Sequence, residues 1–148
     1  MIEKALKDKI IELESLNMKP ILEASGIKFE LKRLLENLEI EQSVVTLFKG
    51  DALIALLRYK VQEDSTAFIY SIQIRNPNEN KLLVYHLLKK ALPQFEEENI
   101  KDVVSVVQRA NSQSIKFNKK LGLTVEKEME KAIRYRGAVE TLKKRLRI

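Results

Sequence analysis

Apolar residues at helical spacing near the start of the chain predict two N-terminal helices. The first stripe, with three or four residues between successive positions, consists of Ile2, Leu6, Ile10, Leu13 and Leu16. Pro20 restricts the backbone of the residue before it, so we expect this helix to break near residues 17–20. A turn should follow at Ser25 and Gly26. A second apolar stripe over residues 29–38 predicts the next helix.

Three segments rich in β-branched and aromatic residues follow and predict an antiparallel meander. Residues 44–48, 52–62 and 67–74 are strand-like, and polar turns separate them. In the third segment one set of side chains alternates with another, so the two sets should face opposite sides of the sheet. These sets are Phe68, Tyr70, Ile72 and Ile74 against Ile69, Ser71 and Gln73.

The hydrophobic period changes at Asn111 and predicts a buried strand followed by a capped helix. Residues 103–107 are almost all valine, which favours an interior strand. Asn111 can cap a helix over residues 112–121, and Gly122 stands where that helix should end. Because a helical stretch over residues 81–98 precedes the strand, the strand can lie parallel to the third strand through a right-handed crossover.

The chain beyond Gly122 predicts a further pair of strands and a last helix. A strand starting at residues 123–125 should run antiparallel to the one at 103–107, with a short return strand at 132–135. Residues 138–146 form a helical stripe with a basic end, which suits a helix C-terminus. The predicted fold class is α/β (α+β): a mixed sheet in which an antiparallel meander is followed by a parallel strand reached through a crossover helix.

Length and composition indicate one globular domain. The 148 residues are 45% hydrophobic and 32% charged, which provides one core and a charged surface. We expect a single domain over 1–148, with helices in 1–42, the sheet with two helices in 43–136, and a basic helix or tail in 137–148. It should fold alone or as a small oligomer such as a homodimer.

The residue types present exclude several chemistries and favour others. The chain has no Cys and one His, so disulfides and thiolate nucleophiles are excluded, and we expect no metal site. No signal-like segment and no apolar run of membrane-spanning length occurs, so we expect a cytoplasmic protein with no membrane partner. The formal net charge of +6 favours anionic partners such as coenzyme A or nucleic acid.

The stretch from Gln108 to Leu123 also carries a family resemblance. It contains Asn111, Phe117, Asn118 and the Lys-Leu-Gly-Leu run that ends at Leu123. It is similar to a strand and helix of the GNAT superfamily of acyl-CoA N-acyltransferases, whose usual text is Asn-x-x-Ala-x-x-Phe/Leu-Tyr-x-Lys-Leu-Gly-Phe. The resemblance covers roughly residues 44–125 and implies the GNAT fold and an acetyl-CoA-dependent N-acetyltransferase acting on an amine that the sequence does not identify.

The resemblance implies roles for particular residues. Asn111 matches the family Asn beside the pantetheine arm of acetyl-CoA, although capping alone would also select Asn there. Asn118 replaces the Tyr that serves the family as general acid. Tyr70 and Gln73, with Ser71, occupy the region where family members place a base or a bridging polar group, and all three are also ordinary for a sheet face. The other cofactor contacts that the resemblance implies are Ile72, Ile74, Glu79, Asn80, Lys81, Leu82 and Phe117.

The segment before the crossover helix departs from the family pattern. Family members bind pyrophosphate on a glycine-rich loop, where the helix N–H groups and the helix dipole attract the anion. Here the glycine positions fall on Asn80, Leu82 and Val84, and the basic or amide position falls on Glu79. Forcing φ positive at Leu or Val costs about 1–2 kcal/mol each, which for two residues predicts a roughly hundredfold loss of affinity. Lys81 could partly compensate as a point charge.

Three functions therefore follow from the sequence, in order. The first is an N-acetyltransferase with an atypical phosphate loop. For this function, the replacement of the family Tyr by Asn118 is less damaging than the missing glycines, because a thiol leaving group has a pKa near ~8.5 and departs with little help. The second is a binding module that keeps the fold without catalysis. The third is an anion- or nucleic-acid-binding accessory protein, which depends only on net charge and the basic C-terminus.

Overall fold

The computed structural model describes residues 2–147, which form one six-stranded mixed sheet with helices on both faces. The helices within these residues are α1 (Lys4–Ala24), α2 (Leu31–Leu38), α3 (Leu83–Glu97), α4 (Ser112–Lys120) and α5 (Val139–Leu146). The strands are β1 (Ser43–Lys49), β2 (Ala52–Val61), β3 (Thr66–Ile74), β4 (Asp102–Gln108), β5 (Thr124–Glu128) and β6 (Ala132–Ala138). Their order in the sheet is β1-β2-β3-β4-β6-β5.

The predicted meander and parallel strand are confirmed. β1, β2 and β3 pair antiparallel in chain order. After β3 the chain crosses over through α3, and β4 pairs parallel with β3. A parallel neighbour requires such a crossover, because a short turn can join only antiparallel strands.

The predicted break in the first helix is wrong, because α1 continues through Pro20 to Ala24. Proline removes one N–H donor, here the partner of the Leu16 carbonyl. Leu16 lies at the surface with 52% exposure, where water can take the place of that donor. The helix ends at the predicted turn, where Gly26 adopts a φ of +72°.

The regular alternation predicted for the third strand is wrong at Tyr70, which is an extra residue in β3. Arg58 of β2 lies opposite Ser71, and the next β2 residue, Tyr59, lies opposite Ile69. Tyr70 therefore has no partner and forms a β-bulge, which bends a strand and increases its twist. As a result Ile69 and Ile72 both join the core on the α3 side of the sheet.

The neighbour predicted for the strand after Gly122 is also wrong. β5 does not pair with β4; it pairs with β6, and β6 lies between them. Every β5 residue is exposed, whereas β6 buries Ile133 and Tyr135 in the core. The strand with an apolar face therefore takes the interior position, and the charged strand forms the edge. Arg134 and Arg136 bind Glu126 on β5 and hold the pKa of its carboxyl below the ordinary value.

Two hydrophobic clusters cover the two faces of the sheet. The smaller lies under α1 and α2 and includes Ile10, Leu13 and Leu56. The larger lies under α3, α4 and α5 and includes Phe95 and Leu142. Because Leu142 and Leu146 are 3% and 5% exposed, the basic C-terminus is a docked helix rather than a solvated tail. Lys144 and Arg145 remain exposed on this helix, so the nucleic-acid hypothesis stays a prediction.

Candidate functional site

The parallel pairing of β3 and β4 stops halfway along the strands and leaves a gap in the sheet. Pairing runs only from Thr66 opposite Asp102 to Ile69 opposite Ser105, and the bulge at Tyr70 begins at the next residue. From there β3 follows β2 while β4 follows β6. The two strands diverge like the arms of a V, with the open end at their C-terminal ends.

Backbone groups on both arms of this gap have no strand to pair with. The Arg75 N–H donates to the Ile54 carbonyl on β2 at 2.8 Å, and the Arg109 N–H donates to the Lys131 carbonyl beside β6 at 3.0 Å. Since backbone groups point to alternate sides along a strand, those of Ile72 and Val106 point into the gap. The gap therefore offers hydrogen-bond donors and acceptors to an extended ligand.

The gap opens into a cavity of about 760 Å³ that passes through the sheet. On one face it is lined by the start of α3 and by α4, including Val84 and Phe117, and on the other by α1, including Asn17 and Ile21. Its volume is within the range of sites for small molecules and cofactors. One cavity thus connects the two faces of the sheet.

Most of the residues predicted from the sequence lie together in this cavity. Its lining includes Tyr70, Ile72, Gln73, Ile74, Asn80, Lys81, Asn111, Phe117 and Asn118. Glu79 and Leu82 are not brought into it. Both side chains are exposed, and Leu82 has 67% exposure.

At the start of α4, Asn111 acts as a helix cap. Its Oδ1 accepts a hydrogen bond from the Ser114 N–H at 3.2 Å, as expected of an N-cap residue. The side chain also lines the cavity, so capping and ligand contact are compatible at this position.

Asn118 lies deeper in the cavity and is 7% exposed. Its Nδ2 donates to the Ser114 carbonyl of the preceding helical turn at 2.7 Å. A carboxamide has no proton that it can give up at physiological pH. Position 118 can therefore hold a hydrogen bond but cannot protonate a leaving group.

The segment before α3 forms a tight turn without glycine. Asn76 has a φ of +49°, and the Glu79 and Asn80 N–H groups donate to its carbonyl. Leu82 has a φ of −87°, so the costly positive φ expected at this glycine position does not occur there. Among residues 2–147, the N–H groups of Lys81, Leu82 and Val84 donate to no other group, as is usual for a first helical turn.

On the α1 side, a chain of neutral polar groups links α1 to β3. The Asn17 Nδ2 donates to the Gln73 Oε1 and to the Ile74 carbonyl, both at 3.0 Å, and the Gln73 Nε2 donates to the Ser71 Oγ at 2.9 Å. Gln73 and Ser71 are each 7% exposed. The network fixes the direction of these side chains at the edge of the gap.

Next to this network lies a buried ion pair that the sequence analysis missed. Glu14 of α1 lines the cavity and accepts two hydrogen bonds from Arg58 of β2, at 2.8 and 3.1 Å. Asn37 and Gln42 accept from the same guanidinium, whose central carbon lies 6.0 Å from the centre of the Tyr70 ring. Glu14 is four residues after Ile10 on the apolar stripe, which is the one signal that could have revealed it.

The free charges of the cavity are positive. Apart from Glu14, the charged residues that line it are Lys81 on the loop before α3 and Lys116 on α4. Neither lysine forms an ion pair among the described residues. Within residues 2–147, no group of three or more His, Asp or Glu side chains could hold a metal ion, and no helix is long and apolar enough to cross a membrane.

Comparison of the sequence with family models and with curated proteins finds no match, but comparison of the structure with solved structures finds many. One is the PaiA N-acetyltransferase of Thermoplasma acidophilum in complex with coenzyme A, at 18% identity and a TM-score of 0.72, with 89% of this chain and 92% of that chain covered. Another is the ribosomal-protein-S18-alanine N-acetyltransferase of Escherichia coli, at 13% identity and a TM-score of 0.71, with 93% of this chain and 90% of that chain covered. A third is an acetyltransferase of the GNAT family from Staphylococcus aureus Mu50, at 12% identity and a TM-score of 0.72, with 93% of this chain and 96% of that chain covered.

The fold of this chain is therefore shared, over nearly its whole length, with solved structures of proteins named as acetyltransferases. These matches define the fold class. More particularly, the chain has the GNAT fold that the sequence predicted. At identities of 18% or less, the likeness concerns the fold.

Proposed function

We propose that this protein binds a coenzyme A thioester, acetyl-CoA in the simplest case, in the gap between β3 and β4 and transfers the acyl group to an amine. The observation that carries the proposal is the cavity that passes through the sheet beside the unpaired backbone of Ile72 and Val106. Transfer from one molecule to another requires both to reach one point, and a cavity open to both faces allows this. Structural neighbours named as N-acetyltransferases support the same proposal.

The residues around the gap fit the donor molecule. The amides of a pantetheine arm can pair with the strand edges at Ile72 and Val106, as an added strand would. The pyrophosphate would meet the first-turn N–H groups of Lys81, Leu82 and Val84, with the Lys81 ammonium as its counter-charge. Because Leu82 directs its side chain to solvent, its backbone stays accessible without glycine.

The transfer itself would proceed with little acid catalysis from the protein. The neutral amine attacks the thioester carbonyl carbon, the C–N bond forms, the C–S bond breaks, and the nitrogen gives its extra proton to solvent. The thiolate leaves as an anion, which its pKa near ~8.5 allows. Asn118 transfers no proton to the leaving group, so the protein would contribute to catalysis by orienting the two molecules.

Binding and transfer are tested separately. Calorimetry with acetyl-CoA should give measurable affinity for the unmodified chain, and Lys81→Ala should weaken it about tenfold or more, because one charge-assisted contact of about 1.5–3 kcal/mol is lost. Lys89→Ala removes an exposed lysine of α3 outside the cavity and should leave affinity unchanged. Release of free thiol from acetyl-CoA in the presence of amines measures the transfer. Absence of acetyl-CoA binding would contradict the proposal.

A second candidate function is a binding module that holds an acyl-CoA without transferring its acyl group. The observation that favours it is Asn118, whose donor group is committed to the Ser114 carbonyl. Acetyl-CoA binding without amine-dependent thiol release would select this candidate. Thiol release that rises with pH, as more of the amine becomes neutral, would select the enzyme.

A further inference from the structure

The two ends of the cavity differ in charge and polarity. The end beside α3 and α4 carries Lys81 and Lys116, as an anionic donor requires. The end beside α1 is lined by apolar side chains with neutral polar groups between them. These apolar residues are Leu16, Met18, Pro20, Ile21 and Leu22, with Val106 of β4 across from them.

Among residues 2–147, one carboxylate lines the α1 end, and it is already neutralised. Glu14 is 5% exposed, and its two oxygens accept from the Nε and the terminal nitrogen of Arg58. Arg58 is equally buried, and its other terminal nitrogen is occupied by Asn37 and Gln42. Glu14 therefore has no remaining charge for a ligand, since pulling it away would leave the guanidinium buried and unpaired.

The charged side chains of β6, the strand beside β4, are both positive. Arg134 lies opposite Val106 in the β4–β6 register, and Arg136 is two residues further along β6. These two guanidinium groups bind Glu126 and Asp102. A ligand with several ammonium groups would therefore enter a partly desolvated cavity with no free carboxylate, and with Lys81 and Lys116 at its far end.

We infer that the acceptor is an amine on an apolar body with no second ammonium group, and that the α1 end of the cavity selects against polyamines. This inference deepens the proposed function and rests on it. The apolar body would pack on Leu16, Met18 and Ile21, and the reacting nitrogen, neutral when it attacks, would point through the gap toward the thioester. Tyr70, at the bulge, stands at the passage between the two ends.

The test uses three compounds in which the sulfur of coenzyme A carries an N-substituted acetamide, so that binding is measured without catalysis. The substituent on the amide nitrogen is methyl in the first compound, 2-phenylethyl in the second, and a spermidine arm that keeps two ammonium groups in the third. By calorimetry, the phenylethyl compound should bind about tenfold or more tightly than the methyl compound, because a phenyl ring is buried among apolar side chains. The spermidine compound should bind no more tightly than the methyl compound.

A matched pair of variants locates the effect. Leu16→Glu places a carboxylate on the cavity wall, and Leu31→Glu places one on α2 outside the cavity; the two leucines have similar exposure, 52% and 47%. Leu16→Glu should tighten the spermidine compound about twofold to fivefold, the range of a half-exposed ion pair, and should weaken the phenylethyl compound. Leu31→Glu should change neither.

The outcomes are distinguishable. Tighter binding from the spermidine arm on the unmodified chain, no gain from the phenylethyl arm, or equal effects of the two variants would overturn the inference while coenzyme A binding stands. Failure of the methyl compound to bind would overturn the proposed function, and the inference with it.

Discussion

Two buried tyrosines, Tyr59 and Tyr135, differ in one respect, the partner of the hydroxyl group. Tyr59 donates to the Glu98 carboxylate, and burial together with that bond raises the pKa of its hydroxyl well above the ordinary value. The Tyr135 hydroxyl is buried and has no hydrogen-bond partner among the described residues. A buried polar group without a partner destabilises the folded state by about 1–3 kcal/mol.

Replacing each tyrosine by phenylalanine should therefore have opposite effects. Tyr135→Phe removes the unpaired hydroxyl and should raise the free energy of unfolding by about 1 kcal/mol. Tyr59→Phe keeps the edge-to-face packing on Phe95 but loses the bond to Glu98, and should lower the free energy of unfolding by a similar amount. Urea denaturation of both variants measures this. A Tyr135→Phe protein less stable than the parent would show that the hydroxyl has a partner.

At the residue scale, sequence reasoning found what local geometry determines and missed what only the fold brings together. Asn111 was predicted as a cap because capping depends on a few neighbouring residues. The apolar stripe of α1 places Glu14 on the buried face, but its partner Arg58 is 44 positions away, and no local pattern identifies it. The extra residue at Tyr70 was hidden for the same reason, because a bulge is defined by its partner strand.

At the element scale, the loop before α3 decides how the donor would be held. The sequence predicted a large loss of affinity from its missing glycines. In the structure Leu82 has a negative φ and an exposed side chain, so a glycine there removes no strain.

Leu82→Gly should therefore leave acetyl-CoA affinity within about twofold of the parent, because the backbone N–H is already free. It should also lower the free energy of unfolding slightly, since glycine near a helix start costs at most about 1 kcal/mol. Calorimetry and thermal unfolding measure the two effects. A tenfold gain in affinity would restore the view that the side chain blocks the phosphate.

The C-terminal helix α5 contributes to stability through its apolar face. Leu142 is 3% exposed in the main core, so Leu142→Ala should lower the free energy of unfolding by about 2–5 kcal/mol. Lys143→Ala, the matched control one residue on, loses surface ion pairs with Glu96 and Glu140 and should cost less than about 1 kcal/mol. Equal losses in a denaturant titration would mean that charge, rather than packing, holds α5.

The sequence predicted the existence of β5, β6 and α5 but not the order of the strands. Hydrophobic spacing identified Val139, Leu142 and Leu146 as one face, because that pattern is local. Whether β5 or β6 lies next to β4 depends on which strand has an apolar face to bury, and Ile133 and Tyr135 decide it only when both strands compete for the same edge.

At the scale of the whole molecule, the sheet consists of two halves, β1-β2-β3 and β4-β6-β5, joined at the closed end of the V. A ligand that pairs with Ile72 on one arm and Val106 on the other would link the halves. Binding to the folded state alone also stabilises the protein in proportion to the logarithm of ligand concentration.

Millimolar acetyl-CoA should therefore raise the melting temperature, and hydrogen exchange should show where it binds. The amides of Ile72 and Val106, which point into the gap, should exchange rapidly in the free protein and slowly in the complex. The amides of Gln73 and Val107, which point toward β2 and β6, serve as controls and should change little. Protection confined to the outer surface of the sheet would place the ligand elsewhere.

In mechanical terms, the gap that begins at the Tyr70 bulge is a weak point of the sheet. A force that pulls the two halves apart would act first at the closed end of the gap, between Ile69 and Ser105. It would then break the four residue pairs of β3 and β4 one after another toward Thr66 and Asp102. A ligand bound to both strands across the gap would hold the halves together beyond that point. The force needed to separate the halves would then depend on the short β3–β4 pairing in the free protein, and on the bound ligand in the complex.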